Sequence, residues 1–437
     1  MYGEKIRNMK DKVVIFWFRR DLRLEDNVGL QQAVASGYPV LPIFIFDTTI
    51  LQKLETDKDR RVDYIHQALN SLNSTLHNYG STLQTYHGKP LEIFEIITKI
   101  YDVQGVYCNR DYEPQAIKRD KLIESYLRER DIQFNTYKDQ VIFEKSDIVK
   151  DDGNPYSVYT PYSRKWKSLL VPQNYASVVV SAEHFYKTNP LKIKELEVLG
   201  FQKTDIIFEK PNLELEIISD YDKKRDFPAL DHTTHLGIAL RFGTISIRSC
   251  VAFALKYNET WLSELIWREF FMQILYHYPR VVTHSFKPKY DSIIWRNNEA
   301  EFQLWCSGKT GYPIVDAGMR QLNETGFMHN RVRMITASFL CKHLLIDWRW
   351  GEAYFAQKLV DYDLASNNGN WQWVAGCGCD AAPYFRIFNP TAQTLKFDAD
   401  LTYIKTWNPD YEKNIQIPIV SHEEARERAL RVYKQAL

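Results

Sequence analysis

Five apolar runs of strand length, at 13–18, 40–46, 82–86, 105–108 and 132–137, are separated by helical patterns such as 60–79, where Val62, Ile65, Leu69, Leu72 and Leu76 share one face. A second pattern of this kind covers 91–101. Regular alternation of strand and helix predicts a doubly wound parallel sheet with helices on both faces. From about residue 215 the strand pattern is gone and long helical patterns follow, for example over 263–276 and 332–347. The expected fold class is an α/β N-terminal doubly wound parallel-sheet domain plus an all-α C-terminal domain. Residues 141–205 hold Gly153, Asn154, Pro155, Pro161, Pro172 and Pro190 with little sustained periodicity, and read as an interdomain connector. The expected boundaries are 1–140, 141–205 and 206–437, and a chain of 437 residues is long enough for two cores. The closing residues, 423–437, read as a short charged helix with no tail beyond it.

The formal net charge of +1 does not announce nucleic acid, so any DNA contact must come from a local basic surface. No apolar run approaches the roughly 18 residues of a membrane span. The opening MYGEKIRNMKDK lacks an apolar core, so no signal peptide is expected, and Met9 competes with Met1 as the start because strand-like sequence begins only at Val13. Six scattered cysteines predict reduced thiols in a cytoplasmic protein. Cys377-Gly378-Cys379 lacks the spacing of a zinc or redox pair, and no metal is expected. The first strand is not followed by G-x-G-x-x-G, so a dinucleotide on this half has no support.

Chemistry concentrates in the second half. Within DYDLASNNGNWQWVAGCGCDAAPYFRIFNP, Asp361, Asp363, Asn367 and Arg386 surround Trp371 and Trp373, a mixture suited to a flat ligand stacked on one face and hydrogen-bonded at its edges. Gly369, Gly376 and Gly378 would let the backbone pass close to such a ligand. In TWLSELIWREFF, Trp261, Glu264, Trp267, Arg268 and Phe271 form one helical stripe. A Glu264–Arg268 surface ion pair is the plain reading of its charges, and an aromatic wall bearing one carboxylate is the functional one. In HNRVRMITASF, Asn330 and Met334 share a face, while Arg331 and Arg333 are either solvated or phosphate contacts. Asp361 and Asp363 could satisfy backbone donors at a helix end or accept from a ligand. Thr233, Thr234, His235, Leu236 and Gly237 place hydroxyls and a small residue ahead of a helix, a place for a pyrophosphate.

Together these segments resemble the DNA photolyase/cryptochrome family, from FWFRRDLRLEDN (16–27) to about residue 410. Within it, the chain is most similar to the microbial class I cyclobutane pyrimidine dimer photolyases. The resemblance implies noncovalent FAD, active in its reduced form, held in a U-shape by the helical domain. Tyr221, Thr233, Thr234, His235, Leu236, Gly237, Trp261, Asn330, Asp361, Tyr362 and Asp363 match the family's flavin contacts, and Asn367 matches the residue facing flavin N5. Gly237 departs from the serine usual there. Damaged DNA is the implied partner. Glu264, Trp267, Arg268, Asn330, Met334 and Trp373 match the lesion contacts, with Arg225, Arg331, Arg386 and Gln393 toward the DNA backbone. Trp295, Trp348 and Trp371 match the family's photoreducing tryptophan chain.

Met334 bears on the substrate, because relatives acting on (6-4) photoproducts carry histidine there; methionine points to the cyclobutane dimer. The N-terminal domain resembles an antenna domain. Gln115-Ala116 and Thr283-His284 replace pairs found in folate-binding relatives, so methenyltetrahydrofolate is disfavoured; a deazaflavin, a second flavin or an empty site stay open. The carboxyl ends of the strands direct attention to Arg19, Arg20, Asp47, Arg110 and Glu113. The expected function is light-driven repair of cyclobutane pyrimidine dimers by a monomer, with a blue-light signalling cryptochrome or a (6-4) photolyase as the alternatives.

Overall fold

The computed structural model describes residues 10–413 and 417–436, so the choice between Met1 and Met9 lies outside the described residues. The chain divides into two compact units. One comprises the residues up to Ile142, with Pro172–Pro211 and Ala239–Cys250; the other comprises Phe143–Val171, Asn212–Ile238 and the chain from Val251 onward. The segment 141–205 is thus shared between the two units.

The first unit carries β1 (Lys12–Phe18), α1 (Val28–Ala35), β2 (Val40–Asp47), α2 (Arg60–His77), β3 (Gln84–Gly88), α3 (Pro90–Ile100), β4 (Asp102–Asn109), α4 (Pro114–Arg128) and β5 (Gln133–Tyr137). All neighbours pair in parallel in the order β3-β2-β1-β4-β5, the doubly wound sheet expected from the alternation. Burial on both faces explains why β1 and β2 read as continuous apolar runs. The third strand starts two residues later than its apolar run. Asn73 Oδ1 accepts from Leu83 N at 2.8 Å and from Thr82 Oγ1 at 3.0 Å, so the Leu83 amide is taken before the ladder begins.

The second unit is helical among its described residues. Its principal helices are α5 (Tyr159–Leu169), α6 (Glu259–His277), α7 (Pro313–Thr325), α8 (Asn330–Ser338), α9 (Trp348–Lys358), α10 (Leu364–Ala375) and α11 (His422–Ala436). Trp305, Met319, Phe339, Trp348, Phe355 and Trp371 belong to one buried cluster around which α7 to α10 pack. The helix expected over 332–347 is not continuous. After α8 the backbone widens into a π-helical turn, Phe339–His343, closed by Leu344 N donating to Phe339 O at 3.1 Å. That turn buries Lys342 and His343 completely. A polar pair inside an apolar cluster is tolerable only with partners: Lys342 Nζ donates to Ala375 O at 3.0 Å, and His343 Nε2 lies 2.8 Å from His422 Nδ1.

Burial lowers the His343 imidazole to about 3. Between about pH 3 and the ordinary histidine value near 6.5 the native state binds fewer protons than the unfolded chain, so this contribution is present above pH 6.5 and lost as pH falls. From pH 7.5 to 5.5, urea unfolding should lose about 1.4 kcal/mol through this residue. His343→Leu should flatten the slope by that amount; an unchanged slope would mean that His343 titrates normally.

Candidate functional site

The aromatic stripe lies on α6. Asn258 caps α6 by accepting from Trp261 N at 3.0 Å. Trp261 and Phe271 are buried, whereas Glu264, Trp267 and Arg268 are half-buried. Glu264 takes its counter-charge from Arg225, whose guanidinium also stands 5.7 Å from the Tyr221 ring. Glu264 thus has a partner from outside its own helix. Trp267 lies flat on Tyr159, with centroids 3.7 Å apart and planes 5° from parallel.

At the start of α8 the His329 side chain caps the helix, its Nδ1 accepting from Arg331 N at 3.2 Å. Asn330 is exposed, and its Nδ2 lies 4.0 Å from Met334 Sδ, one turn on. The two arginines are not solvated. Arg331 donates to Asp226 at 2.7 Å and covers the Phe397 ring at 4.3 Å. Arg333 donates to Met328 O at 2.6 Å and to Asp361 Oδ2 at 2.9 Å, so it is an internal partner of the site rather than a free phosphate contact.

Asp361 also meets the 233–237 segment: a Cβ added at Gly237 would fall 2.8 Å from Asp361 Oδ2, so the smallest residue lets the two stretches of chain approach. Gly237 opens a six-residue helix, Gly237–Phe242, after His235 at φ 49°. The His235 ring sits 4.5 Å from that of Phe327, Leu236 is buried, and Thr233 and Thr234 are half-buried. Asp363 caps α10 by accepting from Ser366 N at 3.1 Å, the plain role expected for one of these acids, and Tyr362 precedes it half-buried. Asn367 donates from Nδ2 to Glu352 Oε1 at 2.8 Å and to Glu352 O at 3.1 Å, which leaves its own Oδ1 to accept. Burial raises the Glu352 carboxyl above its ordinary value, partly offset by the bond from Asn367.

Several buried polar atoms at this place have no protein partner: Asp361 Oδ1, His329 Nε2, Arg331 Nε and His232 Nε2. Because His329 Nδ1 accepts a bond, Nε2 of the neutral ring carries the hydrogen, and burial lowers this imidazole to about 4. Buried polar groups are normally satisfied, so an acceptor and several donors left over on neighbouring segments fit a polar, polyfunctional ligand. A flavin dinucleotide is chemically of that kind.

The other expected residues divide. Trp348 and Trp371 are buried in the main cluster, and Trp295 and Trp373 pack against it half-buried. Trp295 meets Tyr433 edge-on at 6.0 Å. Arg386 is exposed beside Phe388, at 5.6 Å, and Gln393 lies in the first turn of the helix Pro390–Phe397. The three glycines of the tryptophan block do not make room for a ligand. A Cβ at Gly369 would meet the Phe271 ring at 2.2 Å, one at Gly378 would meet the Gln372 backbone at 3.0 Å, and Gly376 ends α10 at φ 90°. They serve helix packing and capping.

In the sheet unit, Arg19 is paired with Asp120 at 2.5 Å, Arg20 with Glu113 at 2.9 Å, and Glu113 with Arg241 at 2.6 Å. Asp47 caps a short helix through Thr49 N at 2.9 Å, and Arg110 is held by Thr136 O at 2.7 Å. Each of these groups already has a partner within the protein. A cavity of about 340 Å³ lies beside the ends of β2 and β3, lined by Thr48, Leu51, Leu54, His87 and Phe201 among others. Glu352, Asp226 and Tyr159 escape sequence reasoning, because their partners lie far along the chain and no spacing rule joins them.

A family model described as the FAD binding domain of DNA photolyase matches residues 261–416, and one described as DNA photolyase matches 14–177. The chain is 40% identical over 426 residues to the deoxyribodipyrimidine photo-lyase of a Synechococcus species, covering 91% of this chain and 88% of that one. It superposes on a bacterial class III photolyase from Agrobacterium tumefaciens with a TM-score of 0.87 at 34% identity, over 99% of each chain. An archaeal photolyase from Sulfolobus tokodaii, solved with two FAD molecules, gives 0.86 at 34% identity over 97% of this chain and 100% of the other.

Packing near the tryptophans yields a direct test. A Cβ at Gly351 on α9 would fall 2.1 Å from Trp371 Cη2. Gly351→Ala should cost about 1–3 kcal/mol in urea unfolding, the range for overpacking, and should alter the near-ultraviolet circular dichroism. Wild-type stability and spectrum would mean that the α9–α10 contact is looser than the geometry states.

Proposed function

Since the chain belongs to the DNA photolyase family, we propose that it uses light to split cyclobutane pyrimidine dimers in DNA. The observation that carries the reading is the half-buried face of α6, on which a carboxylate and an indole, Glu264 and Trp267, stand side by side with their partners Arg225 and Tyr159. Such a face suits a flat, carbonyl-bearing lesion turned out of the duplex. An enzyme that does chemistry on a base must first extrude it from the stack, and a damaged base costs less to extrude than an intact one.

FAD bound in reduced form supplies the light-mobilised electron. The residues of this chain bind and orient. Asp361 Oδ1 and His329 Nε2 offer an acceptor and a donor, Thr233 and Thr234 offer hydroxyls, and Arg333 fixes the Asp361 carboxylate. Tyr221, Leu236, Gly237, Trp261, Tyr362 and Asp363 complete the cofactor's surroundings in this reading. Asn367, tethered to Glu352, keeps its Oδ1 for an N–H donor.

On the lesion side, Trp267 and Trp373 stack, and Asn330 and Met334 line the same opening with Arg268. Arg225, Arg331, Arg386 and Gln393 meet the backbone. Without DNA, Arg225 neutralises Glu264. A phosphate that draws Arg225 away would free the Glu264 carboxylate to accept from a pyrimidine ring N–H. Trp295, Trp348 and Trp371 form the path by which light reduces the protein. A second pigment, if bound, would belong to the sheet unit, with folate disfavoured and the cavity beside β2 and β3 as one candidate place.

Illumination of the purified, reduced holoprotein with a dimer-containing oligonucleotide should remove the dimers. Unchanged dimers despite bound flavin and damage-selective binding would overturn the repair reading. Trp267→Ala should weaken binding of dimer-containing DNA by about 1–3 kcal/mol, the range for one base–aromatic stack, while undamaged DNA changes much less. Equal weakening of both would make Trp267 a core residue. Trp348→Phe keeps an apolar ring in the cluster but lacks the oxidisable indole, so light-driven reduction of the oxidised holoprotein should fall at least about tenfold; a wild-type rate would remove Trp348 from the path.

A further inference from the structure

Trp267 is not a free indole. The Tyr159 ring covers one of its faces at 3.7 Å with the planes 5° from parallel. Aromatic pairs left to themselves favour offset or edge-on contacts over face-to-face overlap, so other bonds must hold this arrangement. Tyr159 has two such bonds. Its hydroxyl donates to Ser263 O at 2.9 Å, one helical turn before Trp267, and its backbone N–H donates to Asp380 Oδ2 at 3.0 Å. Phe270 closes the edge of the tyrosine at 5.9 Å, 76° from its plane. The tyrosine is thus fixed at its tip, its backbone and its edge. Asp380 lies on the segment that leads through Tyr384 to the exposed Arg386.

We propose that Tyr159 is a positioning residue for the lesion. It covers one face of Trp267 and fixes the plane of the indole, so that an extruded pyrimidine dimer meets a single, pre-oriented face. Through Asp380 it also couples that plane to the Arg386 segment. The inference rests on Trp267 being the lesion stack. A half-buried indole without this brace must give up side-chain freedom when the lesion arrives, whereas the braced one has given it up on folding; preorganisation of this kind appears as affinity. Intact DNA does not place a base on Trp267, so Tyr159 acts on damage selectivity and not on general DNA affinity.

The test uses the FAD-loaded full chain, titrated with dimer-containing and undamaged duplexes of one sequence. Tyr159→Leu and Tyr159→Met remove the flat ring, and Met keeps most of its volume. The damaged-to-undamaged affinity ratio should fall about three- to tenfold in both, the scale of one aromatic pair, with undamaged binding unchanged. Tyr159→Phe keeps the ring but loses the bond to Ser263 O, so it should recover the ratio only in part. In a Trp267→Ala background, Tyr159→Leu should produce no further loss. A wild-type ratio in the Leu and Met variants, or losses that add to that of Trp267→Ala, overturns the proposal while leaving Trp267 as the lesion stack. A Trp267→Ala variant with unchanged selectivity removes both readings. Loss of flavin from both Leu and Met variants assigns Tyr159 to the core and ends the proposal.

Discussion

The buried carboxylate of Glu269 on α6 is the interaction on which the arrangement of the helical unit depends. It is 3% exposed, and one oxygen accepts from Trp166 Nε1 at 2.6 Å, from Tyr162 O–H at 3.3 Å and from Phe143 N at 3.0 Å. The next two turns of the same helix continue the attachment, with Gln273 Nε2 donating to Ile148 O at 3.1 Å and His277 Nε2 lying 3.0 Å from Lys145 O. A buried charge is tolerated only with such partners, and removing one leaves a penalty of about 1–3 kcal/mol. This polar row binds 143–171 to α6. Two positions before Glu269, Trp267 receives Tyr159 from that same stretch. One helix therefore organises a structural polar seam and a half-buried aromatic face.

The properties legible in the sequence are those that repeat locally. Strand and helix periods in the first unit specify its sheet, and the one-turn spacing of Asn330 and Met334 specifies their contact. The long helical pattern at 332–347 is legible as apolar periodicity, but not the π-helical turn within it, because a widened turn preserves apolar residues on both sides. Charge pairing escapes wherever the partner is distant. Nothing in the spacing points to Arg225 as a partner of Glu264, and Arg333 looks solvated, yet it holds Asp361. Short-range rules see only residues three or four apart. The cofactor and lesion residues come from the resemblance to a family, since no spacing rule would select them together.

The glycines that look like openings for a ligand instead set the rigidity of α10. Gly369 admits the Phe271 ring from α6, and Gly351 on α9 admits the ring of Trp371. With rings seated in both notches, α10 is held between two neighbours, and Asn367, Trp371 and Trp373 inherit fixed positions from one helix. Sites on packed helices hold their side chains more exactly than sites on loops.

The sharing of 141–205 between the two units bears on how the molecule can be taken apart. A fragment begun at 206, where the periodicity changes, would lack all three donors to Glu269 and the ring that covers Trp267. A fragment ended at 140 would lack the stretches Pro172–Pro211 and Ala239–Cys250 that belong with the sheet. The chain passes from one unit to the other and back before either is complete. No single cut yields both halves whole, so proteolytic nicking between them should be read as damage to each and not as the release of independent modules.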